Sequence, residues 1–296
     1  MPTRRSPGWG RHLRPRHFRR IWRKGSCRAQ NRFWKRSFAP KRAEEVDGTV
    51  AVSSRIDLEG RVFLVTGASR GIGQAAAWSL AREGAKVMAF DVLDGRDTTT
   101  AIERSGGEAL AHQGSVTDPQ SLEEAVADAV RRWGGIDGVV TAAGVVSRGD
   151  LSSTDLDEWR KVLDVNLVGT FNAVRAVYPY LEERRQGKVV CIGSVAGKVG
   201  GVISGPAYVA SKGGIHALVK WLAKAAAPLG ININGVAPGP VYTGMTEGQP
   251  YHDDMSPLGR LGQPADMAEA VVFLASPAAN WITGHVLDVN GGMLMG

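Results

Sequence analysis

Short apolar runs alternate with longer segments of mixed polarity from residue 56 to the C-terminus. The first run, 61–65, ends in consecutive apolar residues, which is typical of a strand buried on both faces of a sheet. The pattern predicts strands over 61–65, 86–90, 108–113, 138–142, 188–193, 231–237 and 285–289, and helices over 72–83, 98–105, 118–133, 156–178, 208–227 and 265–275. This alternation predicts one doubly wound parallel α/β sheet with helices on both faces.

Charge separates an N-terminal extension from the rest of the chain. The chain contains 36 basic and 29 acidic residues, and residues 1–43 contain 15 of the basic ones and none of the acidic ones. Residues 44–296 therefore carry a net charge of −8, so the overall charge of +7 is no evidence that this part binds nucleic acid. We predict a disordered Arg/Trp-rich extension over 1–55 and a single α/β domain over 56–296.

Several interpretations of the extension stay open. It is rich in Arg and free of acid, as transit peptides are, although serine is sparse. Interleaved Arg, Trp and Phe also fit an arm that binds a membrane surface or nucleic acid. Because charge runs are usually solvated, we favour a disordered segment without function or a translated stretch upstream of the true start. We expect no secretory export, since the extension lacks the apolar run of a signal peptide.

Cysteine content and hydropathy exclude other classes. The chain has two cysteines, Cys27 and Cys191, which excludes a disulfide framework and a thiolate zinc cluster, and we predict no metal site. Cys191 lies within an apolar run, so we expect it to be buried. No uninterrupted apolar stretch approaches the ~20 residues of a membrane-spanning helix. We therefore expect a cytoplasmic protein without a membrane partner.

A glycine-rich segment, TGASRGIG over 66–73, joins the first strand to the first helix. Gly67 permits a tight turn, Gly71 lets backbone amides approach a pyrophosphate, and Gly73 permits close packing of helix on strand. The helix N-terminus adds partial positive charge for the phosphates. The segment therefore indicates a Rossmann-type dinucleotide site, with a tight turn that binds no ligand as the alternative.

Asp91 ends the second strand and indicates which dinucleotide is bound. A carboxylate at this point can accept hydrogen bonds from both ribose hydroxyls of NAD, and it repels the 2′-phosphate of NADP. Arg70 argues for NADP, because it can pair with that phosphate, and Arg96 can assist it. An unpaired carboxylate beside a dianion costs more than one mobile Arg returns, so we predict NAD rather than NADP. In the alternative interpretation Asp91 and Asp94 only start a turn.

Tyr208 and Lys212 lie four residues apart and share one face of a predicted helix. A tyrosine that exchanges protons at neutral pH must titrate ~3 pH units below its ordinary pKa, which requires a preference of ~4 kcal/mol for the phenolate. One cation at ~4 Å supplies about that much, so we predict that Lys212 lowers the pKa of Tyr208. Ser194 after the fifth strand and Asn166 on the preceding helix complete the candidate set.

In combination these residues resemble the short-chain dehydrogenase/reductase family, from residue 56 to the C-terminus. Tyr208 and Lys212 match its acid/base pair, Ser194 matches the serine that holds the substrate oxygen, and Asn166 matches a structural and proton-relay asparagine. The resemblance implies that the cofactor contacts Gly67, Ser69, Arg70, Gly71, Ile72, Gly73, Asp91, Val116, Ala143, Gly144, Tyr208, Lys212, Pro238, Gly239, Val241 and Thr243. Two departures are Ala142, where the family often has Asn, and Ser115, where an Asp commonly contacts adenine.

The resemblance implies reversible hydride transfer between NAD(H) and a secondary alcohol or ketone. Within the family, a 3-oxoacyl-[acyl-carrier-protein] reductase-like enzyme using NADPH is the alternative. Arg184 and Arg185 would form half of a patch for an acidic carrier protein, but Leu229 stands where the other half is expected. A protein of another class, which binds nucleotides or nucleic acid through the basic extension, is the remaining alternative.

The wall of the substrate site is less informative. Residues 241–264 contain several Gly and Pro and predict a mobile lid. We expect a small-molecule alcohol or ketone substrate, and we expect structural or solvated roles for His216 and His252. Trp159 and Trp221 are expected to serve helix packing, and the resemblance implies a homotetramer.

Overall fold

Seven parallel strands form one sheet in the order β3-β2-β1-β4-β5-β6-β7 in the computed structural model, which describes residues 56–201 and 203–296. The strands are β1 (Val62–Thr66), β2 (Lys86–Asp91), β3 (Ala109–Gln113), β4 (Gly138–Thr141), β5 (Gly187–Ile192), β6 (Ile231–Pro238) and β7 (Val286–Val289). The α-helices are α1 (Gly71–Arg82), α2 (Arg96–Arg104), α3 (Pro119–Trp133), α4 (Leu156–Leu163), α5 (Gly169–Arg184), α6 (Ala196–Val199), α7 (Pro206–Ala226) and α8 (Pro264–Ala275). The predictions for residues 1–55 lie outside the described residues.

Both faces of the sheet are covered, as the sequence predicts. Along β1, Val62 and Leu64 belong to one apolar cluster, which includes side chains of α3, α5 and α7. Phe63 and Val65 belong to a second cluster on the opposite face, which includes side chains of α1 and α8. This two-sided burial explains the continuous apolar runs and confirms the doubly wound architecture. None of the helices in the described part is long and apolar enough to cross a membrane.

The strand order reverses at β1, which pairs with β2 on one side and with β4 on the other. Thr66 is in register with Phe90 of β2 and with Thr141 of β4, so the carboxyl ends of the three strands lie level. Loops leaving these ends turn to opposite faces of the sheet and open a crevice between them. In open α/β sheets this crevice is where ligands bind.

The predicted helix over 156–178 is wrong in its continuity and in its end. The chain forms α4, then a π-helical turn over Asp164–Val168, and then α5, which continues through Pro179 to Arg184. Apolar periodicity does not encode such a turn, because it changes one hydrogen-bond spacing within an otherwise helical backbone. The short helix α6 was also not predicted.

Two side-chain predictions have different outcomes. Cys191 is fully buried, as expected, and burial raises the pKa of its thiol to about 11. Trp221 is 62% exposed, so it adds little to packing within this chain, and its role in packing between helices of neighbouring chains stays a prediction. The apolar residues that follow it, Leu222 and Ala223, are the ones that pack into the core.

Candidate active site

A cleft of about 530 Å³ opens at the carboxyl ends of the strands. It brings together residues from loops that are far apart in sequence. The predicted site residues that line it are Gly67, Arg70, Gly71, Ile72, Gly73, Asp91, Val116, Ala143, Gly144, Ser194, Tyr208, Lys212, Pro238, Gly239, Val241 and Thr243. Ser69 and Asn166 do not line the cleft, but they form hydrogen bonds with residues that do, Asp91 and Val145 respectively.

The glycine loop forms a cradle that side chains would fill. Gly67 has a φ of +69°, and a Cβ there would lie 2.7 Å from the amide nitrogen of Ala143. A Cβ on Gly73 would lie 2.1 Å from the carbonyl oxygen of Gly67. No side chain caps α1 at Arg70, so the first-turn amides keep free N–H groups. The loop therefore fits a dinucleotide phosphate held by backbone donors at a helix N-terminus.

The Asp91 carboxylate is held at the nucleotide end of the cleft by two backbone amides. Its Oδ2 accepts a hydrogen bond of 2.9 Å from the Ser69 N–H, and its Oδ1 accepts one of 3.0 Å from the Leu93 N–H. Ser69 therefore supports the site through its backbone. Each carboxylate oxygen retains a free lone pair for a ribose hydroxyl.

The two arginines expected to compete with Asp91 have other neighbours. The Arg96 guanidinium forms an ion pair with Asp94. Nη1 of Arg70 lies 3.8 Å from the position that a Cβ on Gly244 would take, so this side chain reaches toward the lid. Within the described residues, neither arginine forms an ion pair with Asp91.

Three side chains meet at the ends of β5 and α7. Tyr208 lies in the first turn of α7, and Lys212 follows one turn later. Nζ of Lys212 donates a hydrogen bond of 2.9 Å to the carbonyl oxygen of Ile192 and lies 5.6 Å from the centre of the Tyr208 ring. The Ser194 hydroxyl oxygen accepts a hydrogen bond of 3.1 Å from the Ala196 N–H, and its proton faces the Tyr208 hydroxyl.

The predicted lowering of the Tyr208 pKa is wrong for the cleft as it stands. Burial raises the pKa of Tyr208, and the hydrogen bond with Ser194 and the charge of Arg148 only partly oppose this shift. Burial also lowers the pKa of Lys212 to about 8. The amine is therefore less firmly protonated than the cation assumed from the sequence.

Asn166 is fully buried within the π-helical turn and holds the loop after β4. Its Oδ1 accepts a hydrogen bond of 2.8 Å from the Val145 N–H, and its Nδ2 donates bonds of 2.9 Å to the Val145 carbonyl and 3.0 Å to the Ser211 hydroxyl. Both amide protons are thus used within the protein. A Cβ on Gly144 would lie 3.2 Å from Oδ1, so the turn also presses on the cleft wall.

Arg148 is a cleft residue that sequence reasoning missed. It lies in the loop between β4 and α4, and it lines the cleft together with Tyr251 and Met245 of the lid. The loop has no periodicity, and a single Arg in it resembles any solvated charge. Its position after the carboxyl end of a parallel strand was the one available signal.

His216 packs beneath the Ser194 loop. Its Nε2 lies 3.5 Å from the Ser194 amide nitrogen, and burial is the main cause that lowers its pKa to about 4. The imidazole is therefore neutral at physiological pH. This agrees with the structural role expected for it.

Comparison with known proteins assigns the family. A family model described as enoyl-(acyl carrier protein) reductase matches residues 67–294. The chain belongs to the short-chain dehydrogenase/reductase family. It is accordingly an NAD(P)-dependent oxidoreductase that acts on CH–OH groups.

Similar proteins in the family are named for different activities. The 3-oxoacyl-[acyl-carrier-protein] reductase FabG of Vibrio cholerae is 38% identical over 81% of this chain and 100% of its own length. A putative 2-deoxy-D-gluconate 3-dehydrogenase from Agrobacterium tumefaciens with bound NADP has a TM-score of 0.75 and 36% identity, over 81% of this chain and 99% of that one. A 3-oxoacyl-[acyl-carrier protein] reductase from Brucella melitensis with bound NAD has a TM-score of 0.75 and 33% identity. The match covers 85% of this chain and 99% of that one.

Proposed function

We propose that the enzyme transfers a hydride between NAD(H) and a secondary alcohol or ketone, with Ser194, Tyr208 and Lys212 as its catalytic residues. The observation that supports this most directly is the convergence of these three side chains in the cleft that the glycine loop opens into. A bound nicotinamide dinucleotide would supply the hydride and, when oxidised, a positive charge on its ring.

Four residues of the chain bind and orient the substrate, exchange its proton and position the cleft wall. Ser194, which faces Tyr208 in the cleft, donates a hydrogen bond to the substrate oxygen and orients it. Tyr208 exchanges a proton with that oxygen, and its raised pKa keeps it protonated and suited to act as the acid toward a ketone. Lys212, buried and anchored on Ile192, keeps positive charge beneath the phenol. Asn166 positions the cleft wall through Val145.

Replacing one hydroxyl tests this assignment. Tyr208→Phe should abolish turnover of any alcohol or ketone while the affinity for the dinucleotide changes little, because the loop that binds the phosphates is untouched. Tyr180→Phe, on α5 and away from the cleft, is the matched control and should keep full activity. Turnover that survives Tyr208→Phe would reject the proposed mechanism.

We further propose NAD as the preferred cofactor, on the basis of Asp91 held by two backbone amides. The ratio of kcat/KM for NADH to that for NADPH measures the preference directly. Asp91→Asn should lower this ratio, since it removes the charge that repels a 2′-phosphate. Asp97→Asn, an exposed carboxylate on α2, should leave it unchanged. A wild-type preference for NADPH would contradict the argument.

A 3-oxoacyl-[acyl-carrier-protein] reductase is the second candidate, favoured by the likeness to the Vibrio cholerae enzyme. The proposed docking arginines are already engaged within the chain. Nη1 of Arg184 donates a bond of 3.0 Å to Asp137, and Nη2 of Arg185 donates one of 2.8 Å to the Pro228 carbonyl. Turnover of a 3-oxoacyl group should therefore be no faster on a carrier protein than on a short thioester. A large advantage for the carrier protein would establish the second candidate.

A homotetramer is proposed from the family and is supported by apolar side chains left exposed on its helices. Trp221 is 62% exposed on α7, and Phe171 is 40% exposed on α5.

A cytoplasmic location and the roles considered for the basic extension stay predictions. Loss of salt-dependent RNA or DNA binding on removing residues 1–43 would indicate an arm that binds nucleic acid.

A further inference from the structure

We propose that Arg148 binds an anionic group of the substrate, so that the enzyme acts on hydroxy or oxo acids bearing a carboxylate near the reacting carbon. The inference rests on the proposed function and specifies its substrate class. Arg148 is assigned as a specificity-determining residue.

Arg148 faces the part of the cleft where the substrate must lie. It lines the same cleft as Ser194 and Tyr208, and its charge acts on the Tyr208 hydroxyl. Its loop packs against the start of α7, where the Gly205 N–H donates a bond of 2.6 Å to the Ser147 carbonyl. The position of the guanidinium is thus tied to the element that carries the phenol.

The charges along the cleft wall favour an anion at this end. Among the described lining residues, Asp91 is the one carboxylate, and it lies at the nucleotide end beside Ser69. Arg70 belongs to the glycine loop at the nucleotide end, and the other cations that line the wall are Arg148, Lys161 and Lys212. Within the described part of the chain, none of these three forms an ion pair with a carboxylate, so their charge is available to a ligand.

The hydrogen bonds of Arg148 are incomplete. Nη2 donates to the Met245 carbonyl of the lid, which is a neutral acceptor. Nε is inaccessible, so a ligand in the cleft cannot reach it, but Nη1 is accessible and has no hydrogen-bond partner among the described residues. An accessible guanidinium N–H forms a strong, charge-assisted hydrogen bond with a carboxylate. A substrate carboxylate would supply the acceptor that Nη1 lacks.

The hydrogen bond from Arg148 to the Met245 carbonyl connects the proposed carboxylate site to the lid segment. Residues 242–251 carry both this carbonyl and Tyr251, which also lines the cleft. A carboxylate held by Arg148 would lie against the inner side of this segment. An acid should therefore hold residues 242–251 in the position seen here, and a neutral analogue should not.

Substrate pairs that differ in charge test the proposal. Oxidation rates are measured with NAD for 3-hydroxybutyrate against 3-hydroxybutyramide, gluconate against gluconamide, and glycerol 3-phosphate against glycerol. For the reactive pair, the wild-type kcat/KM should favour the carboxylate. Arg148→Gln should reduce the ratio of acid to amide by about 10- to 100-fold, mainly through KM, and Arg148→Lys should restore it only partly. Arg104→Gln, an exposed cation on α2, is the matched control and should keep the ratio.

A binding measurement keeps the proposal testable without turnover. In the presence of NAD, the carboxylates should raise the Tm of the wild type and of Arg104→Gln, and this rise should disappear in Arg148→Gln. An equal rise in both arginine variants, or a rise with the phosphate alone, would overturn the inference. Turnover surviving in Tyr208→Phe would instead reject the proposed mechanism and leave the result for Arg148 intact.

Discussion

Removing the Asn166 side chain should destabilise the fold far more than removing an ordinary buried amide. Asn166 is fully buried and makes three hydrogen bonds, of 2.8, 2.9 and 3.0 Å. Asn166→Ala breaks all three and leaves the N–H and the carbonyl of Val145 without partners. Each unsatisfied buried group costs about 1–3 kcal/mol, so we expect a loss of about 4 kcal/mol in the free energy of unfolding.

Urea denaturation followed by circular dichroism measures this loss, and thermal unfolding should show a fall in Tm of about 8–16 °C for a domain of this size. Asn172→Ala is a graded control, because that buried amide donates a single bond of 3.1 Å to the Val116 carbonyl. Asn166→Asp keeps the side-chain volume but places an oxygen against the Val145 carbonyl oxygen. We therefore expect it to lower the free energy of unfolding as well. A loss below about 1 kcal/mol for Asn166→Ala, or one no larger than for Asn172→Ala, would refute the reasoning.

Two further predictions concern the cleft and its support. Gly73→Ala places a Cβ 2.1 Å from the Gly67 carbonyl; the loop must shift, and the dinucleotide Kd, measured by quenching of intrinsic fluorescence, should rise by about tenfold or more. An unchanged Kd would contradict the cradle described above. Burial lowers the pKa of His216 from 6.5 to about 4, so the unfolded state takes up a proton first as the pH falls. Stability should be complete above pH 6.5 and fall by about 1.4 kcal/mol per pH unit toward pH 4. His216→Gln should remove this component and exposed His252→Gln should not, so equal pH profiles for the three proteins would exclude His216 as the cause.

The sequence by itself determined the features that depend on neighbours along the chain. Continuous apolar runs of strand length predicted a sheet covered by helices on both faces, because a strand buried on both faces has apolar side chains on each of them. The glycines of the loop over 66–73 indicated the nucleotide end, since a Cβ at Gly67 or at Gly73 would collide with backbone atoms. Tyr208 and Lys212 were found from their spacing, which one helical turn converts into a shared face.

Only the tertiary structure decided what depends on distance and burial between distant segments. The sequence placed Asn166 in the site, but its three partners belong to Val145 and Ser211, which folding brings to it across the sheet. It predicted a lowered pKa for Tyr208 from the charge of Lys212, whereas burial is the main influence on this group in the folded chain and raises its pKa. Arg148 became visible because the fold turns an irregular loop into the wall of the cleft. Local periodicity sets the backbone, but desolvation and hydrogen-bond partners are properties of the packed chain.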